Sequence, residues 1–189
     1  MSKENDDPKL IVGLINIDNQ VRKEEAYTEA LADAENLAAT DALTGIKNKH
    51  AYSAAEAALK KQLDAGTVTE YAIVMFDLNN LKYVNDTFGH KTGDEYIKNG
   101  CKIICETFAH SPVFRIGGDE FVAITQGDDY RKIDYLVNVL DAKNHENRVK
   151  GAVTIAVGYA RGDRHSSVSS VFEQADKNMY KHKQKFMHR

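Results

Sequence analysis

Cysteine is scarce in this chain: Cys101 and Cys105 are the only two among 189 residues. A disulfide framework and a cysteine-rich metal module are thereby excluded, and a spacing of four puts both thiols on one face of an expected helix, buried and reduced. An excess of charge of either sign is also missing. The formal net charge of -3 offers no electrostatic attraction to nucleic acid or to an anionic membrane surface. No apolar run approaches the roughly 20 residues that span a bilayer, and the first residues are too polar for a signal peptide. A cytoplasmic protein without membrane contact is therefore expected. Internal repeats and low-complexity linkers are absent as well. What is present is a composition 42% hydrophobic and 28% charged, which describes a soluble globular domain with a core of its own.

Residues 1–9 are polar, and residues 10–17 (Leu-Ile-Val-Gly-Leu-Ile-Asn-Ile) read as one strand ended by Asp18 and Asn19. A lone strand is not stable in water, so it packs on the domain after it or belongs to something else. Residues 21–39 turn to Ala, Glu and Lys without Gly or Pro, and Tyr27, Leu31, Ala34 and Leu37 or Ala38 fall at helical spacing. So narrow a stripe serves a helix docked on its own domain or, the reading preferred, a connecting helix that pairs with its copy in a dimer. A polar turn at 41–48 precedes a helix over 49–63. Residues 71–78 form a near-continuous apolar run, expected to be a central strand covered on both faces. Asp77 closes it, and an acid there needs a metal or a cap on the next turn to offset its burial. Residues 79–94 are a polar stretch, and 93–109 a helix whose buried face is Tyr96, Ile97, Cys101, Ile104, Cys105 and Phe108. Asp128 or Asp129 can cap a further helix reaching about 145. A strand at 153–160 and a helix at 168–183 complete the order α-β-α-β-β-α-β-α from residue 41. This pattern implies an α/β (α+β) fold: a mixed sheet with helices packed on it in a ferredoxin-like arrangement.

Residues 115–121, Arg-Ile-Gly-Gly-Asp-Glu-Phe, stand between two β-branched and aromatic stretches, 113–116 and 121–125, and read as the tip of a hairpin. Gly117 and Gly118 can take positive φ there, and Asp119 tolerates a turn position. A turn does not need Glu120, whose charge repels Asp119. Two glycines also bare their main-chain amides to a phosphate. Bare amides beside paired carboxylates suggest a nucleotide phosphate and the cation that neutralises both.

These residues resemble the GGDEF-domain diguanylate cyclases. The hairpin carries the signature without departure, Gly117-Gly118-Asp119-Glu120-Phe121. Residues 41–48 resemble the family's opening Asp-x-Leu-Thr-Gly-Leu-x-Asn, with Ile46 for Leu. Asp77, Lys82, Asn85, Asp86, Gly89, His90, Gly93 and Asp94 match the second long block, and Ala175, Asp176, Tyr180 and Lys183 the closing helix. The resemblance implies a palm of the nucleotidyl-cyclase type with the signature on its hairpin, and condensation of two GTP into cyclic di-GMP with release of pyrophosphate across a homodimer. It implies Mg²⁺ or Mn²⁺ held by Asp77, Asp119, Glu120 and the Leu78 carbonyl, hard oxygen ligands that suit such ions. Asp77, Asp119 and Glu120 are the implied catalytic residues, and whether Asp119 or Glu120 assists deprotonation of the attacking hydroxyl stays open. Gly117 and Gly118 give the phosphates room, Lys82 and Lys183 supply cationic contacts, and Asn85 with Asp94 read guanine. A module that binds GTP or regulates without turnover is the alternative.

The departures are Asn79 for the second Asp of the family's Asp-x-Asp, Leu81 for its usual Phe, and 186–189 where an Arg-Asn pair often stands. The Arg-x-x-Asp pair of many relatives falls on residues 108–111, which here read Phe-Ala-His-Ser. The strand at 10–17 resembles the last strand of a PAS sensor domain. The expected organisation is residues 1–20 as a sensor remnant, 21–40 as the connecting helix and 41–189 as the catalytic domain, the catalytic end of a sensor-regulated protein.

Overall fold

The computed structural model describes residues 21–27 and 38–187. The expected strand at 10–17 and the stripe residues Leu31, Ala34 and Leu37 lie outside the described residues. Contacts divide the chain between Ala38 and Ala39. In the first unit, α1 (21–27) is helical and exposed throughout.

The second unit begins with the turn at 41–48, closed by Asp41. Its Oδ1 accepts from the Thr44 amide at 2.9 Å and from the Thr44 hydroxyl at 2.6 Å. A two-residue strand β1 (Lys47–Asn48) leads into α2 (Lys49–Asp64). Asn48 caps that helix, accepting from the amides of His50 and Ala51, which satisfies two of the first-turn donors. Then come β2 (Glu70–Leu78), α3 (Leu81–Phe88), α4 (His90–Thr107), β3 (Val113–Arg115), β4 (Glu120–Thr125), α5 (Gly127–Arg131), α6 (Ile133–Val149), β5 (Ile155–Asp163) and α7 (Val168–Met187).

The strands form one five-stranded sheet in the order β1-β3-β4-β2-β5. The four longer strands pair antiparallel with one another, and β1 runs parallel to β3, which makes the sheet mixed. Without β1 the order and connections are those of a ferredoxin-like unit, as the sequence pattern implied. The apolar run of β2 has the predicted cause. Ala72, Val74, Phe76 and Leu78 join a core with Ile97, Cys101 and Ile104 of α4 and Leu140 of α6. Tyr71, Ile73 and Met75 join a second core with Tyr52 and Leu59 of α2 and Val171, Ala175 and Met179 of α7. A strand alternates faces, so a helix layer on each side demands apolar residues at every position.

Several expectations are corrected. Residues 81–88 were read as part of a polar stretch but form α3. Only Leu81 of that helix is buried, although Leu81, Val84 and Phe88 fall at helical spacing, a period the polar residues around them hid. It is entered through Asn80, left-handed at φ 65°, and Gly89, at φ 84°, separates it from α4. Helix α4 therefore starts at His90 rather than Gly93. Neither Asp128 nor Asp129 caps a long helix. The segment breaks into α5 and α6, and the buried Asp129 accepts from the His110 amide at 3.1 Å and the Ser111 hydroxyl at 2.7 Å, tying down the turn before β3. Strand β5 is shifted to Ile155–Asp163, since Asn147 Nδ2 donates to the Val153 carbonyl at 2.7 Å and keeps that residue in the loop. The two thiols lie as expected, Cys101 buried and Cys105 half-buried, both free.

One close approach fixes α7 on the sheet. A Cβ on Gly158 of β5 would stand 1.9 Å from the Met179 amide nitrogen and 2.5 Å from the Asn178 carbonyl carbon. Main chain cannot yield as a side chain can, so Gly158→Ala is expected to lower unfolding free energy by about 2–3 kcal/mol. Gly118→Ala, where nothing lies within 4 Å, serves as the near-neutral comparison. Urea unfolding of the two proteins checks the contrast.

Candidate functional site

The site is built where β2 ends. Antiparallel pairing sets Asp77 of β2 directly opposite Glu120 of β4, so both side chains leave the sheet on one face. That face belongs to α2 and α7, since Met75 and Val122 of the same parity pack there. The Leu78 amide donates to the Asp119 carbonyl at 3.0 Å, which carries the ladder one residue further into the hairpin tip. Three predicted acids are thus gathered on two adjacent strands.

Asp77 is 5% exposed. Lys183 of α7 donates to its Oδ2 at 2.8 Å and stands 2.6 Å from its Oδ1. Oδ1 nevertheless takes no hydrogen bond of good geometry, so one lone pair of a buried carboxylate is left over. Within the chain, the partner of Asp77 is a lysine 106 residues on, which nothing local in the sequence announced. Burial pushes the Asp77 carboxyl above its ordinary range, and the charges of Asp119 and Asp176 add to this, outweighing Lys183. The Glu120 carboxyl is also raised, by partial burial first and then by Asp119, Asp77 and Asp176, with Lys183 opposing. Four acids facing one lysine leave an excess of negative charge, a field that favours a further cation.

These observations also fit a divalent ion. The donors are carboxylate oxygens, two of them in cross-strand register, and one buried oxygen has no good hydrogen bond. Among the described residues, no group of three or more His, Cys, Asp or Glu side chains is already arranged to hold a metal. The donor chemistry suits a hard ion that keeps water and phosphate oxygens in its shell.

The glycines of the tip do not take the conformation expected of them, for positive φ occurs at other glycines. Gly117 is required for space: a Cβ there would stand 2.5 Å from Glu120 Oε2, so the glutamate folds back across it. Gly118 is exposed, with open space around it.

Arg115 and the role of Asp41 were not foreseen in the sequence. The Arg115 guanidinium donates to both Asp41 oxygens, at 2.9 and 3.2 Å, and to the Gly118 carbonyl at 2.7 Å. Burial opposes ionisation of Asp41, but bonds from Thr44 and Arg115 hold its carboxyl below the usual range. The entry turn of the domain and the hairpin tip are therefore fastened by one half-buried ion pair. An arginine ending an otherwise apolar strand was the available signal.

The remaining predicted residues lie on α3 and α4. Lys82 is exposed in the first turn of α3. Asn85 is half-buried, its Oδ1 set against Gly93, where a Cβ would come within 1.8 Å. Asp94 comes directly after Gly93 and is exposed. No side chain caps α4, so Asp94 is not a helix cap, and Asn85 and Asp94 are brought to one corner by the glycine between them. At 108–111, Phe108 is fully buried, edge-on to Phe76 at 5.2 Å between centroids, and offers a ligand nothing.

The raised Glu120 carboxyl has a consequence for stability. A group whose folded pKa lies above its unfolded value costs stability once pH exceeds the unfolded value, and the cost is complete above the folded one. Glu120→Gln is thus expected to raise the denaturation midpoint at pH 7, with the gain disappearing below about pH 4, where the acid is protonated in both states. Urea titrations at the two pH values test it, and a lowered midpoint at pH 7 would contradict the electrostatic picture.

Comparison with known proteins agrees with this geometry. The family model described as diguanylate cyclase, GGDEF domain, matches residues 38–189. The diguanylate cyclase DgcS of Shewanella oneidensis is 35% identical over 147 residues, covering 76% of this chain and 49% of that protein. DgcN of Escherichia coli, also a diguanylate cyclase, is 30% identical over 150 residues, covering 76% of this chain and 36% of that protein. The chain thus spans half or less of the length of these relatives. Among solved structures, the coiled coil and GGDEF domain of DgcB from Caulobacter crescentus, in complex with c-di-GMP, superposes with a TM-score of 0.75 at 24% identity. It covers 90% of this chain and 93% of that one, a likeness of fold. With the signature on its hairpin and four-fifths of its length matched, the chain belongs to the GGDEF domain family.

Proposed function

We propose that the domain condenses two GTP molecules into cyclic di-GMP with release of pyrophosphate. Each domain holds one GTP, and two copies meet through the catalytic face, helped by the helix at 21–40. The 3′-hydroxyl of one nucleotide forms a bond to the α-phosphorus of the other, the bond from that phosphorus to the pyrophosphate oxygen breaks, and the hydroxyl proton leaves to a base. Repetition in the other direction closes the ring. The observation that carries this reading is the cross-strand pair Asp77 and Glu120 at the end of β2, with Asp119 beside them and an excess of negative charge.

Asp77, Asp119, Glu120 and the Leu78 carbonyl would hold Mg²⁺ or Mn²⁺. When bound, such an ion neutralises the phosphates and favours the deprotonated hydroxyl. Asp119 or Glu120 takes the proton. Lys183 is on α7 within reach of Asp77, and a phosphate arriving beside it competes for the same ammonium. Lys82 offers a second charge, and Gly117 and Gly118, without side chains, give phosphate oxygens room at the hairpin, with open space around Gly118. Asn85 and Asp94 recognise the base: a carboxylate accepts from guanine N1–H and N2–H₂, a donor pattern adenine lacks. The domain works in the cytoplasm, where its nucleotide is available, and residues 1–20 are the end of an upstream sensor that controls pairing through the connecting helix. Among the described residues, no helix is long and apolar enough to cross a membrane.

One observation favours a second reading. Lys183 already neutralises Asp77, as it would in a module that holds GTP without turning it over. Turnover of GTP by the parent separates the two, and Glu120→Gln then tests the part of the acid in it. Loss of a preorganised charged group from a phosphoryl-transfer site costs on the order of a hundredfold in kcat, so turnover of GTP is expected to fall by at least that much. Turnover close to the parent's would remove Glu120 from the chemistry.

Base choice gives an independent test. Asp94→Ser removes the acceptor for guanine, and since Asp94 is not a cap, the helix has nothing to lose. Discrimination between GTP and ATP in a single competition assay is expected to narrow by about tenfold or more, from two lost charge-assisted hydrogen bonds. Unchanged discrimination would mean that the base is read elsewhere.

A further inference from the structure

Helix α7 brings Lys183 to Asp77. Among the residues whose burial is described, Val168, Val171, Ala175 and Met179 are its buried ones, the last of them four residues before Lys183. Around Lys183 the helix is held to β5 by polar contacts. Strand β5 lies at an edge of the sheet, and side chains rather than another strand close its outward main-chain groups, a common protection for an edge. Asn144 of α6 bonds both the amide and the carbonyl of Ile155 at 2.8 Å. Asn178 Nδ2 donates to the Tyr159 carbonyl at 2.9 Å. Between them the Val157 amide donates to Nδ1 of His182 at 3.1 Å. Across the ring, Nε2 of His182 stands 3.2 Å from Asp141 Oδ1 on α6.

We infer that His182 is a positioning residue, whose neutral imidazole bolts the end of α7 to β5 and α6 and so sets Lys183 at Asp77. This rests on the reading of Asp77 and Lys183 as part of the nucleotide site. The chemistry of the ring supplies the mechanism. Because Nδ1 accepts, the neutral ring carries its proton on Nε2, facing Asp141. A second proton goes to Nδ1, where an N–H then confronts the Val157 N–H, and the bond is lost. The charges around the ring are Asp141 from α6 and Lys181 and Lys185 on α7 itself, with Arg161 of β5 on the same groove. From β5 the ring meets main chain. Burial, with Lys185, holds the imidazole below its ordinary value of 6.5, against the pull of Asp141. The bond is therefore fully made above about pH 6.5 and lost as pH falls through the lower folded value.

The test measures affinity for a GTP analogue with a non-cleavable α–β bridge, in the presence of Mg²⁺, by calorimetry between about pH 5.5 and 8. His182→Ala removes the acceptor, and His182→Asn keeps an oxygen near the Nδ1 position that does not titrate. At pH 8 the alanine protein is expected to bind about tenfold more weakly, the scale of one lost hydrogen bond, and the asparagine protein about as well as the parent. Below pH 6.5 the parent is expected to lose affinity faster than His182→Asn. This difference in slope is a readout that a merely structural histidine would not produce. It also survives if His182→Ala fails to fold. Parallel slopes for parent and His182→Asn, or parental affinity in His182→Ala throughout, would overturn the inference. Parental affinity in Lys183→Ala would instead overturn the reading of the nucleotide site on which it rests.

Discussion

A carboxylate ending a buried strand is the constraint on which the site depends. Asp77 is desolvated by a sheet covered on both faces, and an isolated charge there would be prohibitive. Two of three neighbouring features reconcile it with the fold. Lys183 provides a countercharge at 2.6 and 2.8 Å, β2 gives way immediately to polar residues, and Glu120 faces Asp77 across the ladder. The last of these makes the burden worse. Carboxylates set opposite each other in an antiparallel pair repel, and both carboxyls are pushed upward, by burial first and then by neighbouring acids. Folding alone gives no reason to place them so. The proposed cation would give one, and an Asp77 oxygen without a good hydrogen bond suits it.

The same constraint organises elements that do not touch the acids. For Lys183 to reach Asp77, α7 must lie close on the sheet, and Gly158 allows its main chain to do so. For Glu120 to stay opposite Asp77, the hairpin tip must keep its register, and Arg115 pins the Gly118 carbonyl while bonded to Asp41. Asp41 is in turn fixed by Thr44, the first polar turn after the connecting segment. The tip is thus mechanically continuous with the entry of the domain, through groups that carry charge but sit outside the acid cluster.

Much of this was legible in the sequence, for identifiable reasons. The near-continuous apolar run at 71–78 read as a strand covered on both faces, and the β-branched stretches around Gly117 and Gly118 as a hairpin. Acids flanking those glycines marked the site before any geometry was known. What was not legible depended on distance or on short, polar elements. Lys183 and Asp77 are 106 residues apart, and nothing local announces their pairing. Helix α3 is two turns long and buries a single residue, so its apolar period of Leu81, Val84 and Phe88 was lost in a stretch read as polar. Gly117 was expected to supply positive φ, yet its value is the missing Cβ beneath Glu120, a tertiary fact. Asp129 looked like a cap because caps and loop staples use the same residue type. The expected sensor remnant and half of the connecting helix fall outside the described residues.

The central claim is that paired acids at the end of β2 serve nucleotide condensation between two copies of the domain. Incubation of the protein with GTP and Mg²⁺, with the products identified by mass and pyrophosphate counted alongside, tests it most directly. Cyclic di-GMP is expected, with two pyrophosphates released for each molecule formed, at an initial rate that rises more steeply than linearly with protein concentration until dimers saturate. Unchanged GTP, or GTP cleaved to GDP and phosphate with no cyclic product, would contradict it.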